Sequence, residues 1–145
     1  MTTNSSHDAR TLNSLLRGEL AATETYQRAF SKASTHTMAS ELHRLRDDHR
    51  ELANHLRELV HERGGKPDQG SGVWGAFSKI VAGLANVFGH KASLMALHKG
   101  EESGKNAYEN ALRDDALADS LKKTIRDTFL PRTEAHIHDL KALLK

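Results

Sequence analysis

The chain of 145 residues carries 21 Lys and Arg against 19 Asp and Glu, with ten histidines and no cysteine. That length fits one domain with a sizeable core, and the missing cysteine excludes disulfides and thiolate metal sites while suiting a reducing compartment. Cations alternate with acids instead of clustering, which argues against a nucleic-acid partner, and two prolines among plentiful Leu, Ala, Glu, Lys and Arg favour an all-α fold.

Residues 1–9 form a polar tail with no apolar core of a secretion signal. Asn4, Ser5, Ser6 and Asp8 offer N-caps for a first helix over residues 8–33. The break Ala33-Ser34-Thr35-His36-Thr37 ends it and caps a second helix, whose apolar face is Leu42, Leu45, His49, Leu52, Leu56 and Leu59. Gly64-Gly65 and Pro67 stop that helix after Arg63. Residues 64–90 are a crossover segment. Within it Val73, Phe77, Ile80, Val81, Leu84 and Phe88 predict a short amphipathic helix with Trp74 at its start. Its low-charge stretch is shorter than the ~20 residues that span a bilayer, so no membrane partner is expected and the chain reads as cytoplasmic. Those apolar residues suit packing along the domain or contact with a second copy, which leaves a homo-oligomer open. A third helix follows over 91–113. Asp114-Asp115 caps a fourth helix that runs to the C-terminus, with a kink expected near Asp127 because Pro131 lies inside it.

Connection lengths set the topology. Short links make hairpins of the first and second helices and of the third and fourth. The long middle link can travel back along a ~37 Å helix, which lets the second and third helices run parallel. Residues 1–145 therefore read as one all-α domain, a four-helix bundle with a crossover, the arrangement known as ferritin-like.

An internal repeat points to the site. Leu12, Leu15, Gly18, Glu19, Tyr26 and Ala29 recur 82 positions later as Leu94, Leu97, Gly100, Glu101, Tyr108 and Ala111. Helical steps of three and four put Glu19 and Glu101 inside apolar stripes. A carboxylate facing a core costs several kcal/mol unless it is paired, protonated or bound to a cation. His49 and His136 lie on the core faces of the second and fourth helices. The four residues Glu19, His49, Glu101 and His136 are thus predicted to converge, and they can satisfy one divalent ion such as zinc or iron. The competing reading is a metal-free buried polar cluster with Arg46 or Arg132 pairing the glutamates, and Arg132, one turn before His136, favours it. Tyr26 and Tyr108 read as core aromatics whose hydroxyls reach a partner. His43, His55 and His61 fall off the stripe and read as solvated. No triad, phosphate loop or dinucleotide fingerprint appears, so no catalytic residue is assigned.

The run Leu12-Asn13-Ser14-Leu15-Leu16-Arg17-Gly18-Glu19-Leu20 resembles the first helix of bacterioferritin-like proteins. The fuller pattern, Gly18-Glu19 with Tyr26, Gly64-Gly65, Gly100-Glu101 with Tyr108, and His136, resembles a ferritin-like family of bacterial proteins, the DUF2383 type. The resemblance implies a bundle with an iron site of two single glutamates and two Glu-x-x-His pairs. Glu19 and Glu101 match the single glutamates, and His49 and His136 match the histidines. Arg46 and Thr133 stand where the paired glutamates belong, with Asp48, Glu51 and Glu134 as nearby substitutes. The expectation is a metal binder with oxidase or storage-linked activity. The alternative is a metal-free interaction or stress-associated module.

Overall fold

The computed structural model describes residues 2–70, Gly83 and residues 89–145. The predicted crossover helix, with Trp74 and Phe77, lies outside the described residues. Four helical rods make up the rest: α1 (Thr2–Phe30), α2 (His36–Glu62), α3 (His90–Leu112), and a fourth rod of α4 (Asp119–Thr124), a π-helical turn (Ile125–Phe129) and α5 (Leu130–Leu144). There is no strand among the described residues.

The polar opening belongs to α1, which starts about two turns earlier than its sequence suggests. Tertiary partners hold those turns. Asp8 is buried, accepts a hydrogen bond from the Ala118 N–H and pairs with Arg63, while His7 bonds to Asp114 at 2.6 Å. Between α1 and α2 the Thr35 side chain accepts from the Met38 N–H, as a capping threonine should. At the far end of α2, Gly64 takes φ +74°, a conformation that suits glycine. A Cβ on Gly65 would stand 2.7 Å from that of Ala9, so the glycine lets the start of α1 lie against this turn.

The expected capping of the fourth rod by Asp114-Asp115 takes a different form. Asp114 accepts from the Ala116 N–H within the connecting turn, and the helix begins at Asp119 behind Ala118. The disturbance expected near Asp127 is the π-helical turn. Pro131 has no N–H to give the Asp127 carbonyl, and its ring crowds that carbonyl, so the ladder widens one turn earlier.

Pairing registers fix the helix directions. Along α1 and α2 the contacts Asp8–Arg63 and Glu19–His49 run in opposite senses. Along α1 and α3, His7–Asp114 and Glu19–Tyr108 do the same, with Tyr26 packed beside Leu94 and Leu97. Both α2 and α3 are therefore antiparallel to α1 and parallel to each other, as the long middle link predicts. Arg44–Asp139 and Glu51–Arg132 set α5 antiparallel to α2.

The core has two apolar layers. Leu12, Leu16, Leu52, Leu56, Ile125 and Phe129 belong to one; Leu42, Leu45, Leu94, Leu97 and Leu140 belong to the other. Burying each such side chain contributes about 1.5–3 kcal/mol. Glu19, His49, Glu101 and His136, all buried, come from the stretches of helix between them.

Candidate metal centre

Each rod supplies one polar residue to the level between the apolar layers. His49 stands at the middle, with its Nδ1 2.5 Å from Glu19 Oε2 and its Nε2 2.7 Å from Glu101 Oε1. His136 packs beside it, the ring centres 4.4 Å apart. The Nδ1 of His136 lies 3.0 Å from Glu101 Oε2 but lacks the alignment of a hydrogen bond, and its Nε2 bonds to Asp48. Each imidazole thus has one nitrogen held by a carboxylate, Glu19 or Asp48, and the other directed at Glu101. One donor atom from each of His49, Glu101 and His136 can be chosen so that all lie within 4.8 Å of one another, and such a buried group can hold a metal ion.

The four stripe residues come together as their spacing predicts. Glu19 stands apart from the three, on the far side of the His49 ring. Neither predicted arginine reaches the glutamates. Arg46 bonds to Gln27, Asp47 and His43, and Arg132 pairs with Asp48 and Glu51. Of the substitute acids, Asp48 joins the cluster through His136. Glu51 and Glu134 are exposed and meet Arg132 and Lys105.

Sequence reasoning underrated Asp48. It lies one position, about 100°, from the stripe residue His49, and only the α2–α5 register turns it toward His136. The two tyrosines divide. Tyr108 donates to Glu19 Oε1 at 2.6 Å, whereas the buried Tyr26 hydroxyl has no partner among the described residues and its ring stacks on His49 at 5.2 Å.

Burial by itself lowers the pKa of His49, but Glu101 and Glu19 beside it outweigh that and leave it well above its ordinary value. Burial pushes Glu101 up, and its contacts with His49 and His136 pull it further down, below the usual carboxylate range. Burial first, and then the two carboxylates, raise both phenols, so Tyr26 and Tyr108 stay protonated. At neutral pH this is a satisfied chain running from Tyr108 through Glu19 and His49 to Glu101. The Nδ1 of His136 keeps only its 3.0 Å contact with Glu101, and the Tyr26 hydroxyl has no hydrogen-bond partner among the described residues.

No described helix is long and apolar enough to cross a membrane. A family model described as "Domain of unknown function (DUF2383)" matches residues 8–114, and the chain belongs to that family. No curated protein and no solved structure matches it.

Proposed function

We propose that this member of the DUF2383 family binds one transition-metal ion, zinc or ferrous iron, through His49 Nε2, Glu101 and His136 Nδ1. The observation that carries the reading is the buried group of His49, Glu101 and His136, whose donor atoms lie within 4.8 Å of one another, with both imidazoles turned to one carboxylate. A cation among these three donors would draw on both imidazoles and the carboxylate at once. Two histidines and one carboxylate suit catalytic zinc and non-haem ferrous iron, and such sets leave coordination positions open.

Glu19 and Asp48 then hold the far nitrogens of the two rings, fix which nitrogen faces the metal and raise its basicity. Glu19 thereby acts through His49, not as a fourth ligand. The domain follows the ferritin-like plan, with α2 and α3 parallel and carboxylates inside. Lacking the two paired glutamates of a di-iron centre, it carries a mononuclear site. An oxidase or storage-linked role would draw on that one ion.

A second reading has its own support. Glu19, His49 and Glu101 already pair closely without a cation, and a protonated His49 balances them. On that reading the domain is a metal-free module, used for interaction or stress tolerance, and the polar level specifies its register.

Calorimetric scans separate the two. A metal at a hundredfold excess over its dissociation constant stabilises the fold by about 2.7 kcal/mol. Wild type should melt higher with Zn²⁺ or Fe²⁺, and Glu101→Gln should lose the gain while keeping its helical content. A wild type unshifted by either ion overturns the metal reading and leaves the module standing.

A further inference from the structure

The two imidazoles of the candidate centre are backed in the same way. Behind His49 stands Glu19, and the second oxygen of that carboxylate takes the Tyr108 hydroxyl at 2.6 Å. Behind His136 stands Asp48, and the second oxygen of that carboxylate takes a guanidinium nitrogen of Arg132. Both lines run from donor to carboxylate to imidazole, and both rings turn their remaining nitrogen to Glu101. Tyr108 and Arg132 therefore hold equivalent places, one a phenol in the core and the other a cation toward the surface.

The surroundings of each carboxylate account for that difference. Glu19 is buried, so a neutral hydroxyl suffices to hold it. Asp48 is closer to water: side-chain exposure rises from 2% at His136 to 22% at Asp48 and 33% at Arg132. A carboxylate that water can reach needs a stronger donor, and a charge-assisted hydrogen bond is about twice as strong as a neutral one. Arg132 and His136 stand four residues apart on α5, so both side chains leave the same face and meet one acidic residue of α2. Arg132 also pairs with Glu51 at 3.0 Å, but that side chain is 73% exposed and the contact is worth little.

A guanidinium near a metal centre opposes cation binding through its charge alone. Its placement here works in the other direction. With Oδ1 held by Arg132, the Asp48 carboxylate is kept from turning away from His136. An ionised carboxylate only accepts hydrogen bonds, so the Nε2 of His136 carries the proton and Nδ1 is left to face Glu101.

We propose that Arg132 is a positioning residue of the candidate metal centre, clamping the Asp48 carboxylate and so holding the His136 ring with its Nδ1 toward Glu101. The proposal rests on the metal reading.

Zinc affinity in competition with a chelating dye tests it, with circular dichroism to confirm that each variant folds. Arg132→Met should weaken Zn²⁺ about tenfold, the low end of the loss that outer partners of a metal ligand give. Arg132→Lys keeps a cation within reach of Asp48 and should recover most of that loss. Glu51→Gln breaks the exposed α2–α5 contact of Arg132 without touching Asp48 and should change little. Combined with Asp48→Asn, Arg132→Met should add nothing, because its effect passes through that carboxylate. Arg132→Gln takes the place of Arg132→Met if the latter fails to fold.

Unchanged or tighter zinc binding in the folded Arg132 variant overturns the proposal, tighter binding being what bare charge repulsion predicts. So does a full additional loss in the Asp48→Asn background, or Arg132→Lys no better than Arg132→Met. In each of those cases wild type still binds zinc, and the metal reading is spared. A wild type that takes up no zinc sinks both.

Discussion

Two tyrosines at equivalent positions of a repeat should respond oppositely to the loss of one oxygen. Tyr108→Phe removes the hydroxyl that donates at 2.6 Å to Glu19 Oε1, deep in the bundle. A hydrogen bond to a buried charge is worth about 1.5–3 kcal/mol. No other donor to Glu19 Oε1 is seen among the described residues, so the loss should fall in the upper part of that range. Unfolding entropy near 2.1 cal/mol/K per residue gives a chain of this length about 0.3 kcal/mol/K, so the melting temperature should fall by roughly 8–10 °C. Tyr26→Phe removes a buried hydroxyl with no partner among the described residues and keeps the ring stacked on His49. Its melting temperature should stay level or rise by a few degrees, because an unsatisfied buried group disappears. Urea unfolding of both variants and wild type at neutral pH, without metal or ligand, reads the difference as a change in midpoint at constant slope. Equal losses in the two variants would refute the division of roles between the tyrosines, and a larger loss for Tyr26→Phe would reverse it.

Stability of the metal-free protein should depend on pH on two sides. His49 is raised from 6.5 to about 10, so its stabilising contribution is complete below pH 6.5 and is lost as pH rises through about 10. Glu101 is lowered from 4.5 to about 2, so its contribution is present above pH 4.5 and fades as pH falls through about 2. Urea unfolding from pH 3 to 10 should therefore show a plateau near pH 5–6 with declines on both flanks. A flat alkaline limb would contradict the ion pair. Asp48→Asn changes the group that holds the far nitrogen of His136, and it should weaken Zn²⁺ binding about 10- to 100-fold in competition with a chelating dye. Unchanged zinc affinity would remove Asp48 from the site.

Helical periodicity made the four rods legible, and it also placed Glu19, His49, Glu101 and His136 together, since a polar residue at a core step of each helix has few other places to go. The parallel course of α2 and α3 followed from one long link between two short ones. Less was visible where the outcome depends on how one helix slides past another. Asp48 sits one position off its stripe, and no spacing within α2 says that α5 will present His136 to it. The first turns of α1 read as a tail because their composition is polar. Their partners, Arg63, Asp114 and the Ala118 N–H, lie at the far ends of other rods. Gly18 and Gly100 of the repeat line a cavity between α1 and α3, which a glycine in a sequence does not reveal.

The repeat also explains why one hydroxyl is left over. With strict twofold symmetry between α1 and α3, Tyr108 would reach Glu19 and Tyr26 would reach Glu101. Only the first contact forms. The partner helices are not equivalent, for α2 contributes His49 and the fourth rod contributes His136, and both rings turn to Glu101. Glu101 is thereby occupied by two imidazoles, while Glu19 has one imidazole and an oxygen free for Tyr108. Tyr26 instead lays its ring on His49. The asymmetry divides the labour between matched residues: Glu101 faces both histidines, Glu19 meets one of them and Tyr108, and Tyr26 packs its ring on His49.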